Sequence, residues 1–76
     1  MPQPAYGIYQ TLPGGASVWI ENVFNLNSAR TRITELAQRS SGQFAVFDLR
    51  NPARAVLEVR STGTYLAWHE IARSTQ

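Results

Sequence analysis

Side chains capable of acid–base, metal or nucleophilic chemistry are scarce in this 76-residue chain. It has one histidine, His69, and no cysteine, which excludes the common two-histidine and mixed histidine–cysteine zinc signatures and a cysteine nucleophile. His69 stands beside Glu70 as the one candidate general base. The nearest hydroxyls, Ser61, Thr62 and Thr64, lie in a break between elements, so His69 has no evident nucleophile to activate.

The five acidic residues form no evident catalytic pair. A hairpin could bring Asp48 and Glu58 face to face, but each is expected to meet an arginine such as Arg50 or Arg60. Gly14-Gly15 precedes a strand pattern and no helix, which is the wrong context for a phosphate-binding loop. We therefore expect a non-catalytic protein without a cofactor or metal ion.

All seven basic residues are arginines, and the net charge is only +2. Arginine suits bidentate contacts with phosphate or carboxylate, although codon usage in a GC-rich genome produces the same composition and is the favoured explanation. The arginines of the predicted helix and of the turn after the third strand could form a basic patch. Because Glu35 lies between Arg32 and Arg39, a solvated, partly neutralised helix face is the preferred interpretation.

Hydrophobic periodicity predicts the order strand, strand, helix, strand, strand. The predicted strands are 6–11, 17–24, 44–49 and 55–60, and turns are indicated at 12–15 and 50–53. Asn25, Asn27 and Ser28 are candidate N-caps for a helix whose apolar face carries Ala29, Ile33, Leu36 and Ala37 and which ends at Ser40-Ser41-Gly42. This ββαββ order predicts an α+β fold, a two-layer sandwich with one antiparallel sheet under one main helix.

The last 16 residues are ambiguous, so the chain divides into a core domain, 1–60, and a C-terminal segment, 61–76, that packs on the core or on a partner. From Thr64 to Arg73 the pattern fits a helix, with Tyr65, Trp68 and Ala72 on one side, or a strand in which Leu66 and Trp68 point opposite to Ala67 and His69. The helix is favoured because this segment contains good helix formers.

Aromatic residues form the strongest candidate site. If Ile8, Ile20, Val46 and Leu57 face the core, then Tyr9, Trp19 and Phe47 share the opposite face of the sheet, with Glu21 beside Trp19. Three interpretations compete: a stacking platform for single-stranded nucleic acid, a protein interface, or a surface packed under the C-terminal segment with Trp68 as its counterpart.

Composition bears on the compartment. The chain has no apolar run of membrane-spanning length, and Met1-Pro2-Gln3-Pro4 lacks the basic start and apolar core of a signal peptide. The absence of cysteine fits a reducing compartment. We expect a cytoplasmic protein with no membrane partner.

Three stretches carry a resemblance. Val18-Trp19-Ile20-Glu21, then Ser28-Ala29-Arg30 with Leu36-Ala37, and then the run 42–48, GQFAVFD, resemble a group of small uncharacterised bacterial proteins. That group has a "WxE" strand, an Ala-Arg helix and an aromatic strand ending in Asp. The resemblance covers residues 6–59 and implies a bacterial source and a ββαββ core, with no activity to transfer.

These observations predict an interaction or accessory module that binds a protein partner or a second copy of itself as a dimer. Its expected anchors are Tyr9, Trp19, Phe47 and Trp68, and Arg32, Arg39 and Arg54 are expected at the rim. The alternative is an RNA or single-stranded nucleic-acid binder that stacks bases on the same aromatics and holds phosphates with the arginines.

Overall fold

One α-helix packs on one face of an antiparallel sheet in the computed structural model, which describes residues 3–62 and 64–71. Within that part of the chain the elements are β1 (Tyr6–Thr11), β2 (Ser17–Val23), α1 (Leu26–Ala37), β3 (Gly42–Asp48), β4 (Ala55–Ser61) and β5 (Leu66–Glu70). The five strands lie in the order β2-β1-β3-β4-β5, with β3 in the middle. The predicted α+β class is confirmed.

The β1–β2 hairpin forms where the Pro13-Gly14-Gly15 signal predicts a turn. The Gly15 N–H donates to the Leu12 carbonyl at 2.8 Å, and Gly15 has a φ of +96°, which an L side chain rarely adopts. Leu12 N–H in turn donates to the Ala16 carbonyl at 2.8 Å and closes the loop. β1 pairs with β2 across this turn and with β3 on its other side, so it is an inner strand of the sheet.

The helix begins at the capping residue that its sequence indicates. Asn25 has extended backbone angles, and its side-chain oxygen accepts the Ser28 N–H at 2.8 Å. The apolar stripe then places Ala29, Ile33 and Ala37 on the sheet, where all three are buried. They contact strand residues that point toward the helix, and the largest fully buried of these are Ile8, Val46 and Leu57.

A bulge in β2 overturns one expectation about the faces of the sheet. Ile8 pairs with Glu21 and Tyr9 pairs with Trp19, so Ile20 is an extra residue in β2. The extra residue breaks the alternation, and Glu21 turns toward the helix, where its Oε1 lies 2.8 Å from Arg32 Nε. The expectation that Trp19 and Glu21 share a face is therefore wrong.

The C-terminal segment also corrects a prediction. Leu66–Glu70 forms β5 and not the favoured helix, while Ala72 and Arg73 of the predicted helix lie outside the described residues. Pairing from Ser61 with Leu66 to Leu57 with Glu70 satisfies the free edge of β4, and Leu66 and Trp68 pack against the core. Backbone pairing together with apolar burial outweighs helix propensities of a few tenths of a kcal/mol per residue.

Arg30 of the helix holds β5 from the core side. Its guanidinium carbon lies 5.1 Å from the centroid of the Trp68 ring, and the same group forms an ion pair with Glu70. This clamp joins the helix to the last strand of the sheet, which is short and has no further strand beside it in the described residues.

Truncation at the centre of the core should show how much of the stability depends on the helix–sheet contact. We expect Ile33→Ala to lower the free energy of unfolding by about 3 kcal/mol, because it leaves a cavity against the buried sheet face. Urea unfolding measures the loss, with Thr31→Ala on the exposed side of the same helix as the control. Equal effects of the two substitutions would contradict this view of the core.

Removal of the clamp should loosen β5 before the rest of the sheet. We expect Arg30→Gln to speed amide hydrogen exchange in Leu66–Glu70 relative to β1 and β3, with a loss of about 1 kcal/mol in the free energy of unfolding. Arg39→Gln, at an exposed position just beyond the helix, is the matched control. Unchanged exchange in β5 would show that strand pairing alone holds this segment.

Candidate interaction surface

The face of the sheet opposite the helix, called here the outer face, has no described element packed over it. One row of side chains crosses it through successive register partners, in the order Trp19, Tyr9, Ala45, Glu58 and His69. The row contains two large aromatic rings at one end, a methyl group in the middle and two polar groups at the other end. The outer face therefore has an aromatic half and a polar half.

The aromatic half is held in place by its own contacts. The Tyr9 and Phe47 rings meet edge to face, with centroids 5.3 Å apart and planes at 79°. Trp19 is 55% exposed, yet its indole N–H donates to the Asn22 side-chain oxygen at 2.9 Å. The polar atom of Trp19 is therefore satisfied within the chain, and the group that it offers to solvent is the apolar ring.

Gly7 makes this arrangement possible. A Cβ at Gly7 would lie 3.2 Å from the Asn22 side-chain oxygen and 3.3 Å from atoms of Tyr9 and Leu49. These distances are tighter than ordinary van der Waals contact, so a side chain at this position would displace its neighbours. Because Gly7 has no side chain, the side chains of Asn22, Tyr9 and Leu49 can lie close to the backbone of β1 at this point.

The polar half surrounds a shallow hollow of about 310 Å³. Its lining includes the small residues Ala45 and Ala67 together with Glu58, Arg60 and His69. Gln43, turned so that its amide oxygen faces Arg60, accepts from Nη2 at 2.9 Å and from Nε at 3.2 Å. The two formal charges of the lining, on Arg60 and Glu58, have opposite sign, so this half is close to neutral.

The structure divides the predicted site residues into two groups. Tyr9, Trp19 and Phe47 lie together on the outer face, as the strand alternation predicts. Trp68 lies on the other side, half-buried against the core under Arg30, and does not join them. The described part of the C-terminal segment extends the sheet and does not cover the aromatic residues.

None of the three predicted rim arginines lies on a strand of the sheet. Arg32 is on the helix, where the hydrogen bonds that it donates to Glu21 and to Glu35 raise its pKa above the ordinary value. Arg39 is exposed just after the helix, and Arg54 is exposed in the loop between β3 and β4. Of the predicted charge cluster, the contact between Arg32 and Glu35 is present at 3.1 Å.

Six residues of the outer face were not among the anchors and rim residues that the sequence predicted. They are Gln43, Ala45, Glu58, Arg60, Ala67 and His69. The strand interpretation of the C-terminal segment would have indicated two of them, because it places Ala67 and His69 on the face opposite to Leu66 and Trp68. Once that segment is a strand, the register brings His69 beside Glu58 and Ala67 beside Arg60.

The carboxylates do not assemble a catalytic pair in the described residues. Asp48 is buried and accepts from the backbone N–H of Arg50 at 2.9 Å, and the side-chain pairing raises the pKa of Arg50. Glu58 is exposed and pairs across the sheet with Ala45 and His69. Among residues 3–62 and 64–71 no cluster of three or more potential ligands could hold a metal ion.

Comparison with protein-family models, with curated proteins and with solved structures gives no match to this chain. The resemblance to small bacterial proteins stays a prediction. None of the helices in the described residues is long and apolar enough to span a membrane.

The hydrogen bond from Trp19 should determine how the ring is held. We expect Asn22→Ala to shift the Trp19 indole proton upfield and to speed its exchange with water, because the proton loses its acceptor. The free energy of unfolding should fall by less than about 1 kcal/mol, since both side chains are exposed. Proton–nitrogen NMR gives both results, with the Trp68 indole as the internal reference and Asn51→Ala as the control. An unmoved Trp19 resonance would contradict the geometry.

Proposed function

We propose that this chain is a small non-catalytic interaction module that binds a protein through its outer face, with Trp19, Tyr9 and Phe47 as anchors. The observation that carries the proposal is the state of Trp19. A large ring is 55% exposed on an uncovered sheet face, and its only polar hydrogen is already bonded to Asn22. A ring of this kind gains free energy chiefly by burial against another surface.

The neighbours of Trp19 support the same function. Tyr9 stands next to it across the strand pair, and the edge-to-face contact with Phe47 fixes the Tyr9 ring before any partner arrives. Anchors that are already ordered lose little conformational entropy on binding. Tryptophan, tyrosine and arginine dominate the energetics of protein interfaces, and Arg60, oriented by Gln43, supplies the arginine on the polar half.

Charge and ring geometry favour a protein over a single-stranded nucleic acid. With the Tyr9 and Phe47 planes at 79°, the two rings cannot both lie flat and offer parallel faces to successive bases. Arg60 is accompanied by Glu58 two residues away on the same face, which offsets its attraction for phosphate. Arg32, a possible phosphate contact from the sequence, is paired with two glutamates on the helix side.

Site-specific photo-cross-linking in the native cell tests the proposal. A photoreactive amino acid at Ser17, in the row next to Trp19 on the outer face, should give discrete protein adducts. The same group at Thr31, exposed on the helix, is the control position. Adding Trp19→Ser to the Ser17 probe should remove the adducts, because the anchor is lost while the helix–sheet core is unchanged.

The form of the adducts decides the outcome. Protein adducts that appear with the Ser17 probe, depend on Trp19 and are absent with the Thr31 probe support the proposal. Adducts that disappear on nuclease treatment would overturn it in favour of nucleic-acid binding. Equal adducts from both positions, or none from either, would show that the outer face is not a protein-binding surface.

A further inference from the structure

We propose that the occupant of the outer face is a second copy of this chain, packed sheet to sheet about a two-fold axis that runs along β3. The inference rests on the proposed function and names its partner. In this pairing Trp19 and Tyr9 of each copy lie over the half of the other copy that contains the hollow, and Phe47, on β3, lies beside its counterpart in the other copy. The arrangement places two sheets between two outer helices, with the sheets about 10 Å apart.

The strand order makes this axis the natural one. β3 is the middle of the five strands, so rotation by 180° about it lays β2 over β5 and β1 over β4 of the other copy. Trp19 then lies over β5 at the level of His69, next to Ala67 on the same strand. Rotation about an axis across the strands would instead set aromatic half against aromatic half and leave both hollows empty.

The shape of the outer face is self-complementary under this rotation. The hollow of about 310 Å³ is open toward the outer face, and Ala67 lies in its lining without bulk to block entry. Ala45 lies near the axis and presents only a methyl group, and Phe47 of the same strand packs there beside its counterpart in the other copy. The protruding ring of one copy and the recess of the other therefore occupy corresponding positions.

The polar groups of β4 also find partners in this pairing. Rotation brings Tyr9 over β4 of the other copy, where Glu58 and Arg60 point to the outer face. The Tyr9 hydroxyl is a donor that a Glu58 carboxylate accepts, and the ring face attracts the Arg60 guanidinium. Like charges do not meet at the axis, because the residues of β3 on this face are uncharged: Gln43, Ala45 and Phe47.

The available area is sufficient for a dimer of modest affinity. Five strands at about 4.8 Å spacing and about six residues of length give an outer face of about 24 by 20 Å. Two such faces bury about 1,000 Å² in total, which is where specific interfaces begin. We therefore expect association in solution that is reversible and dependent on protein concentration.

Sedimentation equilibrium of the purified chain from about 10 μM to about 1 mM tests the pairing. We expect a monomer–dimer equilibrium that persists in high salt, because burial of apolar rings drives it. Trp19→Ser and Ala67→Gln should each weaken it at least about tenfold, the first by removing the anchor and the second by filling the recess. Tyr65→Ser, an exposed aromatic on the helix side, and Ala53→Gln, an exposed alanine in a loop, should leave it unchanged.

A second measurement locates the interface without any substitution. In a half-labelled sample, isotope-filtered NMR should give contacts between the Trp19 ring of one copy and the Ala67 methyl of the other. A monomer at the highest concentration, a dimer indifferent to both substitutions, or contacts along the β2 edge would overturn the pairing. Dissociation of the dimer by an RNA oligonucleotide bound at Tyr9 and Trp19 would also overturn it.

The cross-linking experiment separates this inference from the proposed function. If the purified chain is monomeric but the Ser17 probe gives Trp19-dependent adducts with another protein, the function stands and the self-pairing fails. If no Trp19-dependent protein adduct forms at all, both fail. An adduct of twice the 8.5 kDa chain mass in the cell supports both.

Discussion

The architecture depends on one constraint: the described residues form a single helix, whereas a sheet of five strands has two faces to cover. A helix of 12 residues is about 18 Å long and about 10 Å across, and it covers one face of a sheet of five strands. The helix buries its stripe of Ala29, Ile33 and Ala37 against that face, and Arg30 extends its reach to Trp68 at the edge. In the described residues nothing remains to cover the other face, although it carries three of the large aromatic side chains. The uncovered face is thus a consequence of element count, and its composition determines what the chain can bind.

The bulge in β2 decides which side chains reach which face. If Ile20 were paired as a regular strand residue, strict alternation would place Glu21 beside Trp19 and put a carboxylate in the middle of the aromatic half. The bulge instead turns Glu21 to the helix, where it forms an ion pair with Arg32. It leaves Asn22 on the outer face, where the Asn22 side-chain oxygen accepts the Trp19 indole N–H. This one extra residue therefore lets Glu21 form an ion pair with Arg32 on the helix side. On the outer face it leaves Trp19 with a bonded indole N–H and an exposed apolar ring.

The sequence was sufficient to predict the helix, four of the five strands and the three aromatic residues that share the outer face. Alternation and turn residues predict β1 to β4, and the Asn25 cap with the Ala29 and Ile33 spacing predicts the helix, because these signals are local. The last strand is different: its residues favour a helix in isolation, and only the free edge of β4 turns them into a strand. From that one choice follow the misplacement of Trp68 among the anchors and the omission of Ala67. The bulge is invisible for a similar reason, since no glycine or proline marks Ile20.

The polar half of the outer face explains why the aromatic half can remain exposed in a monomer. An apolar patch that spanned all five strands would favour indiscriminate association, whereas Gln43, Glu58, Arg60 and His69 keep half of the face hydrated. The same four polar side chains favour a partner that lays rings over Ala67 and leaves the charges paired or wet. The second copy proposed above would do so, because the two-fold axis brings Trp19 and Tyr9 over the half that contains Ala67, Glu58 and Arg60. The division of the face into unequal halves thus limits the size of its apolar patch and the kind of partner that fits it.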